Sequence, residues 1–279
     1  MDSQLINPGV PFCLGVAQHK YLGAEKGLQS AIDGGYSHWY IDASLLGERV
    51  EDWTDARIAS LQEKIAASGV QPIFHSNFKA PLGSDVGAFR AAAVEYVERE
   101  VDVASRLGAP LIIHGGCIVG PQRVLEAKDI ALEHYLKSVK ELAQYAEAKG
   151  TDIYLESLSN YVNYRIFTHP AQFAFVFEHL QAHSNVYCLL DAGHTHIDSR
   201  LPAQVMRKYP ALIKGISFSN HKEGHDVDNC AYAEVLRAIV ETNWKGLVAF
   251  ETCHHSAQAA LADLARAFAV VSANPGLDS

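Results

Sequence analysis

Four residues with metal-binding chemistry recur at near-equal intervals in the second half of the chain: Glu156, Asp191, His221 and Glu251. Each ends an apolar run (IYLE, CLLD, SFSNH, VAFE), and the intervals are 35, 30 and 30 residues. An interval of that size is about one strand–helix unit, so the four are expected in one layer at the ends of consecutive strands. Side chains alternate along a strand. Tyr154, Leu189, Ser217, Ser219 and Ala249 therefore share the ligands' face, while Ile216, Phe218, Val248 and Phe250 take the other. Three carboxylates gathered in a partly dry rim could not all stay ionised unaided. A divalent cation relieves that repulsion and leaves one net negative charge. Oxygen-rich donors with one nitrogen suit Mn2+ foremost, with Mg2+ or Co2+ as alternatives, and Zn2+ or Fe2+ enter if more imidazoles join.

More imidazoles are available. His75 follows PIF, His114 follows LII, His194 lies three residues past Asp191, and His19 lies just past the first apolar run. Together with Lys222, beside His221, they are candidate substrate-binding groups. A hydrogen-bonded rim histidine explains His75 or His114 as well, and a loop salt link is the simpler account of Lys222. The acid run VEYVERE (94–100) reads as an exposed helix face, and Cys253 as an inert thiol.

Positions of this kind need a scaffold that returns each strand to the same end. Strand-like runs fall at 12–16, 38–44, 70–76, 110–116, 152–157, 186–194, 212–221 and 246–252. Between and after them lie helical patterns near 21–33, 54–68, 86–107, 127–149, 170–182, 202–209, 231–243 and 256–271. Within 86–107, Phe89, Ala93, Val97, Val101 and Ala104 recur at helical spacing, and Gly69 and Gly108 stand where helices should stop. Eight strands alternating with eight helices predict an α/β fold, a single-domain (β/α)8 TIM barrel over 1–279 with a short flexible tail at about 272–279. The competing open sheet would carry GxGxxG or a P-loop, and neither is present.

Composition narrows the function classes. The chain has 279 residues, 48% apolar and 20% charged, with a formal charge of −9. That balance excludes disorder and argues against a broad basic surface for nucleic acid or anionic lipid. Cysteines 13, 117, 188, 230 and 253 form no CxxC pair, so neither a disulfide framework nor a cysteine zinc site is expected. With no secretory leader pattern and no apolar run near membrane-spanning length, a cytoplasmic protein is expected.

Glu156 after IYL, DAGH at 191–194, His221 after ISFSN and Glu251 in GLVAFE resemble the xylose isomerase-like TIM-barrel superfamily. That grouping holds ketose 3-epimerases, hydroxypyruvate isomerase-like proteins, inosose dehydratases and endonuclease IV. The resemblance implies that Glu156, Asp191, His221 and Glu251 bind one divalent metal, often manganese. It also implies that Glu156 and Glu251 act as acid and base, that His194 contacts substrate oxygens, and that the chain forms a homodimer or homotetramer. His75 and His114 fall where endonuclease IV has extra zinc-binding histidines. The stretch KEGHDVDNCAYAE after His221 nevertheless lacks that enzyme's Asp-x-His pair, and it lacks the Gly-x-Gly common in sugar-active members.

The chemistry expected of such a site starts from a carbonyl and its neighbouring hydroxyl, whose shared C–H becomes acidic when charge on the enediolate oxygens is stabilised. A glutamate removes the proton. Its return to the opposite face epimerises, its return to the neighbouring carbon isomerises, and loss of a β-hydroxyl dehydrates. A metal-dependent isomerase or epimerase of a small sugar-like keto-polyol is the primary expectation. A dehydratase or lyase on a related polyol and an endonuclease IV-like zinc phosphodiesterase are the alternatives.

Overall fold

Short β-rich runs separated by amphipathic helices can pair only in parallel, because each helix carries the chain back to the starting edge. In the computed structural model, which describes residues 13–16, 22–34, 36–116, 124–158, 165–192, 201–220, 230–252, 269, 271 and 273, that logic closes on itself. The strands are β1 (Cys13–Val16), β2 (His38–Asp42), β3 (Gln71–His75), β4 (Leu111–His114), β5 (Ile153–Glu156), β6 (Val186–Asp191), β7 (Ile213–Asn220) and β8 (Leu247–Thr252). The helices between them are α1 (Ala24–Asp33), α2 (Asp55–Ser68), α3 (Gly87–Leu107), α4 (Val124–Ala148), α5 (Pro170–Glu178), α6 (Leu201–Lys208) and α7 (Cys230–Thr242). Every strand pairs in parallel with its sequence neighbours, and β1 also pairs with β8, closing the barrel. The helix expected at 256–271 lies largely outside the described residues.

Local chemistry sets the boundaries. The Thr54 hydroxyl accepts from the Arg57 backbone N–H at the start of α2. Helices α2 and α3 both end in a left-handed residue, Gly69 (φ 75°) and Gly108 (φ 72°), where any Cβ would be strained. No helix among the described residues is long and apolar enough to cross a membrane.

Alternation along the strands sorts side chains into two cores. Trp39, Ile41, Phe74, Ile113, Leu155, Leu190, Ile216, Phe218 and Val248 face the helices. Tyr40, Ile73, Ile112, Tyr154, Leu189, Leu247 and Ala249 pack inside the barrel. The inward Leu189 takes space that a side chain at its neighbour Gly215 would occupy: a Cβ there would stand 2.5 Å from Leu189 Cδ1. Parity then forces Asp42, His75, His114, Glu156 and Asp191 inward as well, one step above this apolar plug, at the C-terminal mouth.

Helix α3 keeps its predicted span, with two refinements in what its side chains do. Phe89 is not in the core but largely exposed in the first turn. The acid run is not wholly a solvated face, since Glu100 is fully buried beside Val97 and Val101.

Candidate functional site

The β4–β5 register sets His114 directly against Glu156, and the β2–β3 register sets Asp42 against His75. Across these strands three donor atoms converge. His75 Nε2 and His114 Nε2 each lie 3.2 Å from Glu156 Oε2, and the two imidazole nitrogens are 2.5 Å apart. The rings meet edge-on with centroids 4.4 Å apart, and Tyr40 flanks His75 at 5.2 Å. His75 and Glu156 are buried and His114 is partly exposed, so the cluster opens only toward the mouth.

Two imidazole nitrogens and a carboxylate oxygen pointing at a common place cannot all present lone pairs to it: either an imidazole N–H or a cation must stand between them. The 3.2 Å edges are close to the ~3.3 Å separation of ligands about 2.0–2.1 Å from a tetrahedral ion, and a bound ion would part the two imidazoles. This donor set suits Zn2+, Co2+, Fe2+ or Mn2+. Among the described residues it is the group of three or more metal-capable side chains whose donor atoms lie within 4.8 Å of one another. The residues present therefore fit a divalent ion.

Partners behind the cluster steady it. Asp42 Oδ1 lies 3.9 Å from His75 Nδ1, too long for a hydrogen bond, and the same oxygen accepts from the Ser44 N–H at 2.9 Å and from the Ser44 hydroxyl. Glu100 reaches from α3 to the residues just past His75, accepting from the Ser76 hydroxyl at 2.5 Å and from the Asn77 N–H at 2.9 Å. Burial pushes the Glu100 carboxyl up to about 7 against those two bonds and the nearby His75. On β6, burial, with the Glu156 charge beside it, holds the Cys188 thiol well above its ordinary range, so it is inert.

The loops around the mouth are stitched by backbone bonds: Gly83 N–H to Gly116 O, Ile166 N–H to Gly115 O, and Leu158 N–H to Phe167 O. A Cβ at Gly115 would stand 2.9 Å from the Ile166 carbonyl, so these loops approach through a glycine. Phe167 is held at φ 61° by stacking on Phe173 with centroids 4.0 Å apart. The Asp191 N–H donates to Ser157 Oγ at 2.8 Å, tying the ends of β5 and β6 together.

Of the expected site residues, Glu156 is joined by His75 and His114, which the sequence reading offered as substrate-binding groups and as further imidazoles for a metal. Asp191 is fully buried at the end of β6 on the inward face. Glu251 lies within β8, its backbone paired with that of Ser219 on β7. His221, His194, Lys222 and His19 lie outside the described residues. Asp42 and Glu100 escaped the sequence reading. Asp42 shares the inward parity of Tyr40, and Glu100 falls in the stripe Ala93–Val97–Glu100–Ala104, so each had a signal.

Comparison with known proteins agrees with this architecture. Residues 31–270 match the family model described as xylose isomerase-like TIM barrel. Among solved structures, a D-psicose 3-epimerase in the presence of D-fructose superposes with TM-score 0.72 at 14% identity, covering 95% of this chain and 100% of its own. An L-ribulose 3-epimerase does so with TM-score 0.72 at 18% identity, covering 93% and 94%. A 3-keto-D-glucoside 4-epimerase from E. coli follows with TM-score 0.66 at 16% identity, covering 94% and 99%. At these identities the likeness is one of fold. No curated protein matches the sequence.

Proposed function

This chain belongs to the xylose isomerase-like TIM-barrel family, and we propose that it is a divalent-metal-dependent isomerase or epimerase of a sugar or sugar-like keto-polyol. The observation that carries this reading is the convergence of His75, His114 and Glu156 donor atoms at the barrel mouth. Solved structures of the same fold are described as sugar 3-epimerases, which supports a carbohydrate substrate.

In this reading Glu156, Asp191, His221 and Glu251 hold one cation, Mn2+ foremost, and His75 and His114 join Glu156 as further donors to it. When bound, the ion supplies positive charge where oxygen charge develops during proton abstraction. The chain's own residues do the rest. One of Glu156 and Glu251 takes the proton from the carbon between carbonyl and hydroxyl, and the other returns it. His194 orients substrate oxygens, and the apolar plug of Ile73, Ile112 and Leu189 closes the floor against water.

The test is deuterium uptake into D-fructose, D-tagatose or L-ribulose in D2O, with metal content measured per chain. Glu251→Gln, shown to retain its metal, should lose about 10²–10⁴ in exchange rate; unchanged exchange refutes the reading. A dehydratase would instead release a product lighter by one water. The pair of histidines beside Glu156 favours a second reading, the endonuclease IV-like zinc phosphodiesterase. Two or three Zn per chain with cleavage at abasic sites would select it.

A further inference from the structure

Phe78 presents a bare ring at the barrel mouth, 52% exposed, on the loop that follows β3. Exposed rings on loose loops mean little, but this loop is held at every step. Glu100 binds the residues before it, Ser76 and Asn77. The Asn77 side chain accepts from the Lys79 N–H at 3.1 Å, and the Asn77 carbonyl accepts from the Ala80 N–H. A Cβ on Gly116, in the next loop, would come within 3.5 Å of the Phe78 carbonyl. The backbone that carries the ring is therefore held in place. The ring centroid is 6.5 Å from that of His114, tilted 61°, so it stands beside the donor cluster rather than on the outer wall. The Lys79 ammonium lies 5.8 Å from the same ring.

We propose that Phe78 is a substrate-contact residue, a platform on which a sugar in ring form lays its C–H face while its oxygens reach toward His114 and Glu156. The proposal rests on the reading of this mouth as a sugar site and narrows its substrate class. One face of a pyranose ring bears axial C–H groups with little polarity, and it matches the electron-rich face of a phenyl ring while removing apolar surface from water. An extended open-chain polyol offers no such face. A ring-form substrate that also carries a reactive ketone must bear it on a ring carbon, since ring closure consumes the anomeric carbonyl. A cyclic keto-sugar or keto-glycoside is thus the preferred class, and Lys79 can serve a hydroxyl at its edge.

The test uses methyl β-D-glucopyranoside, which is locked as a ring and cannot be turned over. Binding is followed by calorimetric titration and saturation-transfer NMR on the metal-loaded protein. Wild type and Phe78→Tyr are expected to bind alike, with saturation strongest on H1, H3 and H5 of one face. Phe78→Ala is expected to bind about tenfold more weakly, and because the ring is exposed the variant should fold as wild type does. Equal affinity in all three proteins, no binding by wild type, or saturation spread evenly over both faces overturns the proposal. Binding with this pattern but no deuterium exchange on any ketose or on a cyclic keto-glycoside would remove the epimerase reading and leave Phe78 as a sugar platform. Exchange with indifference to Phe78→Ala would do the reverse.

Discussion

Glu100 gives the sharpest test of how the barrel mouth is braced. Its carboxyl is fully buried on α3, accepts two hydrogen bonds from Ser76 and Asn77, and titrates near 7 rather than at its ordinary 4.5. An acid that holds its proton more tightly folded than unfolded favours the native state at low pH. The stabilisation is complete below 4.5 and is lost as pH rises through 7. Integrating the linkage from pH 5 to pH 8 gives a loss of about 2–3 kcal/mol. Glu100→Gln keeps the shape: the amide oxygen can accept from the Asn77 N–H and the amide nitrogen can donate to the Ser76 hydroxyl. It removes only the titration. Urea unfolding of both proteins at pH 5 and pH 8 should therefore show the wild type falling relative to Glu100→Gln by about 2–3 kcal/mol. Titrating groups remote from Glu100 are common to the two proteins and cancel in the difference, leaving Glu100 and its coupling to the nearby His75. Parallel pH curves for the two proteins would refute the argument and with it the idea that burial, not hydrogen bonding, sets this carboxyl's affinity for its proton.

Other expectations follow from the same geometry. His114→Ala should weaken divalent-cation binding by more than tenfold in chelator competition, because it removes one of three converging donors. Gly115→Ala forces a methyl to within 2.9 Å of the Ile166 carbonyl and 3.0 Å of its Cγ1, so chemical denaturation should show a loss of about 1–3 kcal/mol. Gly69→Ala meets no atom within 4 Å and bears only the strain of φ 75°, so its loss should stay near about 1 kcal/mol in the same assay.

The barrel was legible because its governing signals are local. A four-residue run such as LIIH or IYLE must be a strand, Gly69 and Gly108 mark where helices cannot continue, and parity alone places Leu189 inside and Leu190 outside. Phe89 keeps the helical spacing yet stays exposed, because an amphipathic stripe can run one turn beyond the core it packs against. Glu100 was read with its acidic neighbours by composition. Its position three residues after Val97 and four before Ala104 put it on the buried stripe, and a buried acid needs partners from another element to be tolerated. Those partners, Ser76 and Asn77, sit 24 and 23 residues away, where no helical period reaches. Asp42 was hidden differently. The strand was read through to residue 44, which buried its last residue in mid-run.

The histidines were the harder case because their spacing is irregular. His75, His114 and Glu156 stand 39 and 42 residues apart, stretched by the long helices α3 and α4, while the ligand candidates from Glu156 onward keep near-even intervals. Periodicity therefore picked out the second half of the barrel and passed over the first. Only the register joins them, His114 lying opposite Glu156 and His75 opposite Ile112 two residues below. Glu156 is the point where the two series meet, its Oε2 already turned toward both imidazoles. A substitution there disturbs cation holding and proton transfer together, so loss of activity in Glu156→Gln says little about either. Glu251 belongs to β8, whose neighbours are β7 and β1 rather than the histidine strands. The acid–base role is therefore put to the test in a Glu251→Gln variant shown to retain its metal, which separates its proton transfer from its share in holding the cation, and the metal role is put to the test at His114.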